Sequence, residues 1–201
     1  MTLNEKFAFM ATGQTYNDLA PELTKAREDG IAFTNRYNAS FGAPQKEREA
    51  ILQTSLGSVG ENVHFEPNFR CEFGQNIHIG NHFYANYDCI MLDGATIEIG
   101  DYVLFGPRAG IYTSNHSIWP EEREKGGCIA KPVKIGSRVW LGANVIVNPG
   151  VTIGENTIIG SGSVVTKSIP AGVIAAGNPC RVIRPITESD RTDYFENGHL
   201  K

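Results

Sequence analysis

The stretch Ile135-Gly-Ser-Arg-Val-Trp-Leu141-Gly-Ala-Asn-Val-Ile-Val147-Asn-Pro-Gly-Val-Thr-Ile153-Gly-Glu-Asn-Thr-Ile-Ile159-Gly-Ser-Gly-Ser-Val-Val165 decides the fold. Every sixth residue from Ile135 to Val165 is aliphatic. The next position reads Gly136, Gly142, Asn148, Gly154, Gly160 and Thr166, and the fourth reads Val139, Val145, Val151, Thr157, Ser163 and Ile169. Upstream, Phe73, Ile79, Ala85, Met91 and Ile97 keep the same step, and a two-residue slip restarts the phase at Ile99, Phe105 and Ile111. A period of six fits neither a helix nor a two-sided strand. It fits a coil of short strands in which each hexad is one side of a triangular prism. The aliphatic residue points inward, and Gly, Asn or Asp turns the corner in the left-handed backbone region. Three sides close a coil of about 18 residues, so the chain is expected to be a parallel β-helix. An ordinary sandwich would repeat its strands about every 8–12 residues instead.

The chain has 201 residues, which suits one sizeable core and is short for two enzyme domains plus a linker. Charged residues make up 20%, and the net charge is −4, which argues against a nucleic-acid-binding surface as the main business. A local basic patch for one phosphorylated ligand remains compatible with that balance. Met1 to Lys6 lacks a basic stretch followed by an apolar one, so no secretory signal is read. The longest uncharged run, Val139 to Gly154, is broken by Asn, Pro and Gly and does not read as a membrane span. Cys71, Cys89, Cys128 and Cys180 are widely spaced and read as reduced thiols. A cytoplasmic location is expected.

Three segments follow. Residues 1–57 read as a helical cap, with helix over Leu19–Arg27 and Glu28–Ser40, Asp18 as N-cap and Pro21 in the first turn. A second helix is expected from Pro44 to Leu56, ended by Gly57. Residues 58–185 read as the β-helix, interrupted by an inserted loop over 112–132, and 186–201 as a polar tail. The insertion is too long for a corner, and its aromatics and central His116 favour a functional role.

Hexads of this type resemble the hexapeptide-repeat acyltransferases, whose fold is a left-handed parallel β-helix. More specifically, Asn76-Ile-His-Ile-Gly-Asn-His-Phe-Tyr-Ala-Asn86, Asn148-Pro-Gly-Val-Thr-Ile-Gly154, Val164-Val-Thr-Lys167 and Ala176-Gly-Asn-Pro-Cys-Arg-Val-Ile-Arg184 resemble the maltose/galactoside O-acetyltransferase branch. Tyr16-Asn-Asp18 and Pro21-Glu-Leu23 are similar to it too. The resemblance implies acetyl transfer from acetyl-CoA to a hydroxyl of a sugar or sugar-like acceptor. It also implies a homotrimer with active sites between neighbouring prisms. No metal is expected.

His116 is the candidate general base, since a hydroxyl needs deprotonation as it attacks a thioester and an imidazole suits that task. The resemblance places the family's histidine in this loop, usually followed by proline, where this chain has Ser117. By the same resemblance Asn86 lies near the developing oxyanion; its other reading is a corner asparagine. Asp18, Arg27, Glu72, Tyr84 and Asp93 match acceptor-binding positions. Each carboxylate can also be read as a solvated surface charge, and Tyr84 as a packing residue. Glu72 stands where relatives carry Ser or Asp, and Cys128 where they carry larger side chains. For acetyl-CoA, Lys167, Arg181 and Arg184 supply charge for phosphates beside Thr166, and the coil edges at Gly142, Ala143 and Ser161 offer backbone groups to the pantetheine. Trp140 reads equally as a cover for the thioester or as prism surface. His64, His78, His82 and His199 read as structural or exposed.

Rival readings are a γ-class carbonic anhydrase-like protein with zinc on three histidines, a non-catalytic assembly module, and an acetyltransferase with a non-sugar acceptor. The first would need a close histidine pair that residues 83–198 do not offer beyond His116.

Overall fold

A computed structural model describes residues 1–192 and 194. The body is a left-handed parallel β-helix with three faces. The first face stacks Ser58–Val59, Ile77–Ile79, Ile97–Ile99, Val133–Ile135 and Thr152–Ile153. The second stacks His64–Phe65, Tyr84–Ala85, Leu104–Phe105, Trp140–Leu141, Ile158–Ile159 and Val173–Ala176. The third stacks Arg70–Cys71, Ile90–Leu92, Gly110–Tyr112, Ile146–Val147 and Val164–Val165. All these pairings are parallel. Arg181–Pro185 folds back antiparallel on Val173–Ala176 and closes the far end.

The hexad positions from Ile135 to Val165, and the set four places on, are all buried. Thr157 and Ser163 are tolerated inside because their hydroxyls donate to the carbonyls of Pro170 and Gly160.

Coil length departs from the uniform 18 residues that the period predicts. Lys134 pairs with Thr152 and Ile146 with Val164, eighteen residues apart. Ser58 pairs with His78 and His78 with Glu98, twenty apart. The early coils carry two extra residues at the corner between the third and first faces, so Cys71 and Met91 are followed inward by Ile79 and Ile99 at a stride of eight. Phe73 therefore leaves the prism interior. It joins a second small core with Met10, Tyr16, Leu23, Ala26, Ala95, Cys128 and Ala130.

Corner chemistry is also broader than Gly, Asn and Asp. His82, Tyr102 and Arg138 each have φ of 57° at the corner between the first and second faces. Stacked repetition supports them: His82 lies on Tyr102 at 4.5 Å between ring centres, and Arg138 Nε donates to Asn156 Oδ1 at 2.7 Å. His78 is held by Ser58 Oγ at 3.0 Å, and His64 by Gln45 and Arg48. His199 lies outside the described residues.

The N-terminal segment holds α1 (Leu3–Met10), α2 (Pro21–Ala39) and α3 (Gln45–Gln53). The first was not anticipated, although Thr2 and Glu5 spell a capping box and form one. Helix α2 is continuous from Pro21. Its N-cap is Ala20, not Asp18, whose carboxylate is drawn to Arg27 instead. Helix α3 stops at Gln53, four residues before Gly57. Helices α2 and α3 plug the open end of the prism, and α1 packs into the second small core. Tyr37 and Asn38 exchange hydrogen bonds with the backbones of Phe65 and Phe69, and buried Arg48 donates to the Phe65 carbonyl at 2.8 Å. The first coil's exposed strand edges are thus satisfied.

Residues 112–132 are not an irregular loop. They form a hairpin of Ser114–His116 and Gly127–Ala130 spanned by α4 (Pro120–Glu124), and Tyr16–Asn17 adds a third, antiparallel strand.

Candidate active site

The widened corner, the cap and the hairpin meet at one place. Helix α2 approaches the corner at Gly30, where a Cβ would fall 2.3 Å from the Glu72 carbonyl oxygen. This close approach brings Arg27, one turn earlier, within reach of the corner. Its Nε donates to Glu72 Oε1 at 2.9 Å, its Nη1 donates to the Asp18 carbonyl at 2.9 Å, and its Nη2 pairs with the Asp18 carboxylate. One guanidinium thus sits between two carboxylates. Burial pushes the Glu72 carboxyl up, with Arg27 opposing the shift.

Asp93 occupies the equivalent corner one coil on, and it is fully buried. Its Oδ1 accepts from the backbone N–H of Glu72 (3.1 Å) and Phe73 (2.8 Å), and its Oδ2 accepts from that of Asn76 (3.2 Å). Burial outweighs these bonds and raises its carboxyl to about 6. In the single chain Asp93 thus shapes the corner beneath Glu72 and offers no surface of its own.

His116 ends the outer hairpin strand, exposed, and is paired in register with Cys128. Its Nδ1 lies 3.1 Å from Cys128 Sγ. Cys128 is buried, and its burial, with Asp18 and Glu72 nearby, raises the thiol to about 11. Tyr16 flanks Cys128 on the other side and reaches Ser114 Oγ at 3.4 Å. Ser117 is buried and makes a bond that a proline could not: its N–H donates to the Gly127 carbonyl at 2.8 Å. Its hydroxyl also binds Glu122 of α4.

His116, Asp18, Arg27, Glu72 and Asp93 therefore gather around one corner. Tyr16 and the Cys128 contact were not singled out from the sequence; the Tyr16-Asn-Asp18 motif was the available signal for the first.

Asn86 and Tyr84 stand elsewhere. Asn86 turns the corner between the second and third faces, at the opposite end of the Ile90–Leu92 strand from Asp93. Its Oδ1 accepts from the Tyr87 N–H at 2.8 Å, and among the described residues its amide NH2 has no acceptor. Tyr84 donates to Glu66 Oε1 at 3.2 Å and stacks on His64. Gly142, Ala143 and Ser161 climb the same corner as Asn86: Gly106 N donates to the Leu141 carbonyl, Gly142 N to that of Ile159, and Ala143 N to Ser161 Oγ at 3.1 Å. Trp140 lies half-exposed on the adjoining second face. Thr166 and Lys167 return to the corner that carries the histidine hairpin lower down, and Lys167 has no hydrogen-bonding or ionic partner among the described residues. Arg181 is exposed, and its Nη1 donates to the Cys180 carbonyl at 2.8 Å. Arg184 is taken up by Asp190 through two hydrogen bonds of 2.7 and 2.6 Å, which hold the aspartate well below the usual carboxylate range.

Among the described residues, no three His, Cys, Asp or Glu side chains converge as a metal site, and no helix is long and apolar enough to cross a membrane.

Both the prism and its helical cap match known families. Residues 132–167 match the family model for bacterial transferase hexapeptide repeats, and residues 10–60 match the maltose acetyltransferase hexapeptide capping motif. A galactoside O-acetyltransferase of Escherichia coli K12 is 40% identical over 185 residues, covering 92% of this chain and 91% of that one. A crystal structure of a maltose O-acetyltransferase from Clostridium difficile 630 superposes with a TM-score of 0.87 at 47% identity, over 94% of this chain and 99% of that one. A galactoside acetyltransferase solved in complex with coenzyme A gives 0.87 at 39%, over 94% of each chain. The chain belongs to the galactoside and maltose O-acetyltransferase family, and it is an acetyltransferase of that type.

Proposed function

We propose that the protein moves the acetyl group of acetyl-CoA to a hydroxyl of a sugar or glycoside by direct attack. The observation that carries this reading is the convergence of His116 with the Asp18–Arg27–Glu72 network on one corner. Two carboxylates and a guanidinium offer acceptors and donors to neighbouring hydroxyls, with a base alongside. The acceptor oxygen attacks the thioester carbonyl carbon while His116 Nε2 takes the hydroxyl proton. The oxyanion collapses, the C–S bond breaks, and the imidazolium returns the proton to the leaving sulfur. The products are the O-acetyl ester and free CoA.

Asn86, whose amide NH2 has no acceptor among the described residues, is the oxyanion donor. It sits at the opposite corner of the third face from His116, so one chain does not supply both groups to one reaction. The reading requires a cyclic homotrimer in which the His116 corner of one subunit meets the Asn86 corner of the next. Exposed Leu104, Trp140, Ile90 and Leu92 on the intervening faces are the apolar surface such an assembly buries. Tyr84 then reaches the acceptor from the neighbouring subunit, and Asp93 acts by holding the Glu72 corner. The pantetheine runs along Gly142, Ala143 and Ser161 below Trp140, with Thr166, Lys167 and Arg181 toward the phosphates and Arg184 joining once released from Asp190.

The test is thiol release from acetyl-CoA against galactosides, glucose, maltose and non-sugar alcohols. Release that requires a sugar acceptor is expected. Acceptor-independent release, or preference for a non-sugar alcohol, would overturn the reading.

A further inference from the structure

We propose that Cys128 is a positioning residue for His116: its sulfur accepts a hydrogen bond from Nδ1–H and so holds the imidazole in the tautomer whose Nε2 is free to take the acceptor's proton. This rests on the reading of His116 as the base.

Among the described residues, Cys128 Sγ is the one hydrogen-bonding partner of the imidazole, at 3.1 Å. The two residues face each other across the hairpin, and Tyr16 faces Cys128 from the opposite strand. The Cys128 backbone is therefore paired on both sides, and its side chain is packed into the small core with Met10, Phe73 and Ala130. An exposed imidazole on a hairpin edge is anchored to a buried atom.

The charge state of that atom matters. A thiolate would draw a proton onto the ring, and an imidazolium cannot act as a base. The ionisable groups around the thiol are Tyr16 from its strand, Asp18 beside it, Arg27 from α2, Glu72 from the prism corner and His116 itself. Burial and the two carboxylates disfavour a third negative charge, and Arg27 only partly opposes them. The thiol here stays neutral; in the proposed arrangement its own S–H points away and its sulfur lone pair accepts from Nδ1–H, orienting the ring without placing a charge against it. The carboxylates thus serve the base indirectly as well as the acceptor directly.

Long-range 1H–15N correlation spectra of the uniformly labelled protein report the tautomer, with the His116 signals assigned by difference from His116→Ala. In the wild type at neutral pH, His116 is expected as the Nδ1–H form. Cys128→Ala should mix the tautomers and lower kcat about tenfold or more, with the KM for acetyl-CoA unchanged. Cys128→Ser keeps an acceptor and should restore the Nδ1–H signature and most of the rate. An Nε2–H form in the wild type would overturn the proposal, and so would Cys128→Ala with the wild-type tautomer and rate. If Cys128→Ala does not fold, the wild-type spectrum and the serine variant still decide. Full turnover by His116→Ala would instead defeat the base assignment, leaving the tautomer as a separate result.

Discussion

Arg27 Nε donates to Glu72 Oε1 across 2.9 Å, and this bond ties the cap helix to a prism corner 45 residues further along the chain. The pair is partly buried, so removing one partner strands the other in a poorly solvated place. Glu72→Ala is expected to cost about 1–3 kcal/mol in stability and to raise the acceptor KM, with little change for acetyl-CoA. Thermal melts and steady-state kinetics check both. A variant with unaltered acceptor KM would remove Glu72 from the acceptor site.

His116→Ala and Asn86→Ala should each lose activity, by roughly 10²–10⁴-fold for the histidine. The proposed shared site adds a sharper outcome. If the two inactive proteins are unfolded, mixed in equal amounts and refolded together, about a quarter of the sites should regain both groups by random assembly. Recovered turnover supports the shared site, and none would place both residues within one chain's reach.

Among the described residues Lys167 has no partner, whereas Arg184 is engaged by Asp190. Lys167→Ala should raise the KM for acetyl-CoA several-fold, roughly 3- to 10-fold, and Arg184→Ala should raise it less. Kinetics with acetyl-CoA as the varied substrate separate the two. An equal or reversed ranking would show that the phosphates displace Asp190.

Leu141 is fully buried in the prism, while Ile118 at the hairpin tip is 95% exposed. Leu141→Ala should cost about 2–5 kcal/mol, and Ile118→Ala within about 0.5 kcal/mol. Urea unfolding of both variants tests this contrast.

Asp93 carries a pH signature. Its carboxyl is near 6 when folded, and about 4 in an unfolded chain. Between those values the native state holds more protons than the unfolded state, so stability falls as pH rises from about 4 to about 6 and levels above that. Glu72, also raised by burial, adds a slope of the same sign. Asp93→Asn should flatten that slope, measured by urea unfolding across the range. A slope unchanged by the substitution would mean that Asp93 does not titrate there.

The amino-acid sequence by itself determined the prism, because an inward aliphatic residue at every sixth position satisfies only a coil with three flat sides. Its motifs also named His116, Asp18, Arg27, Glu72 and Asp93, which the fold gathers at one corner. Even the two-residue slip was visible. Its meaning was not: only the tertiary structure shows that the stride of eight at Cys71 and Met91 widens a corner, expels Phe73 and builds the seat for Tyr16 and Cys128. The same holds for Asp18, which reads as a helix cap but spends its carboxylate on Arg27. A periodic core is written locally, one hexad at a time. The site depends on contacts between segments as far apart as Tyr16 and Ser114, 98 residues distant, and pattern alone does not say which distant polar groups will meet.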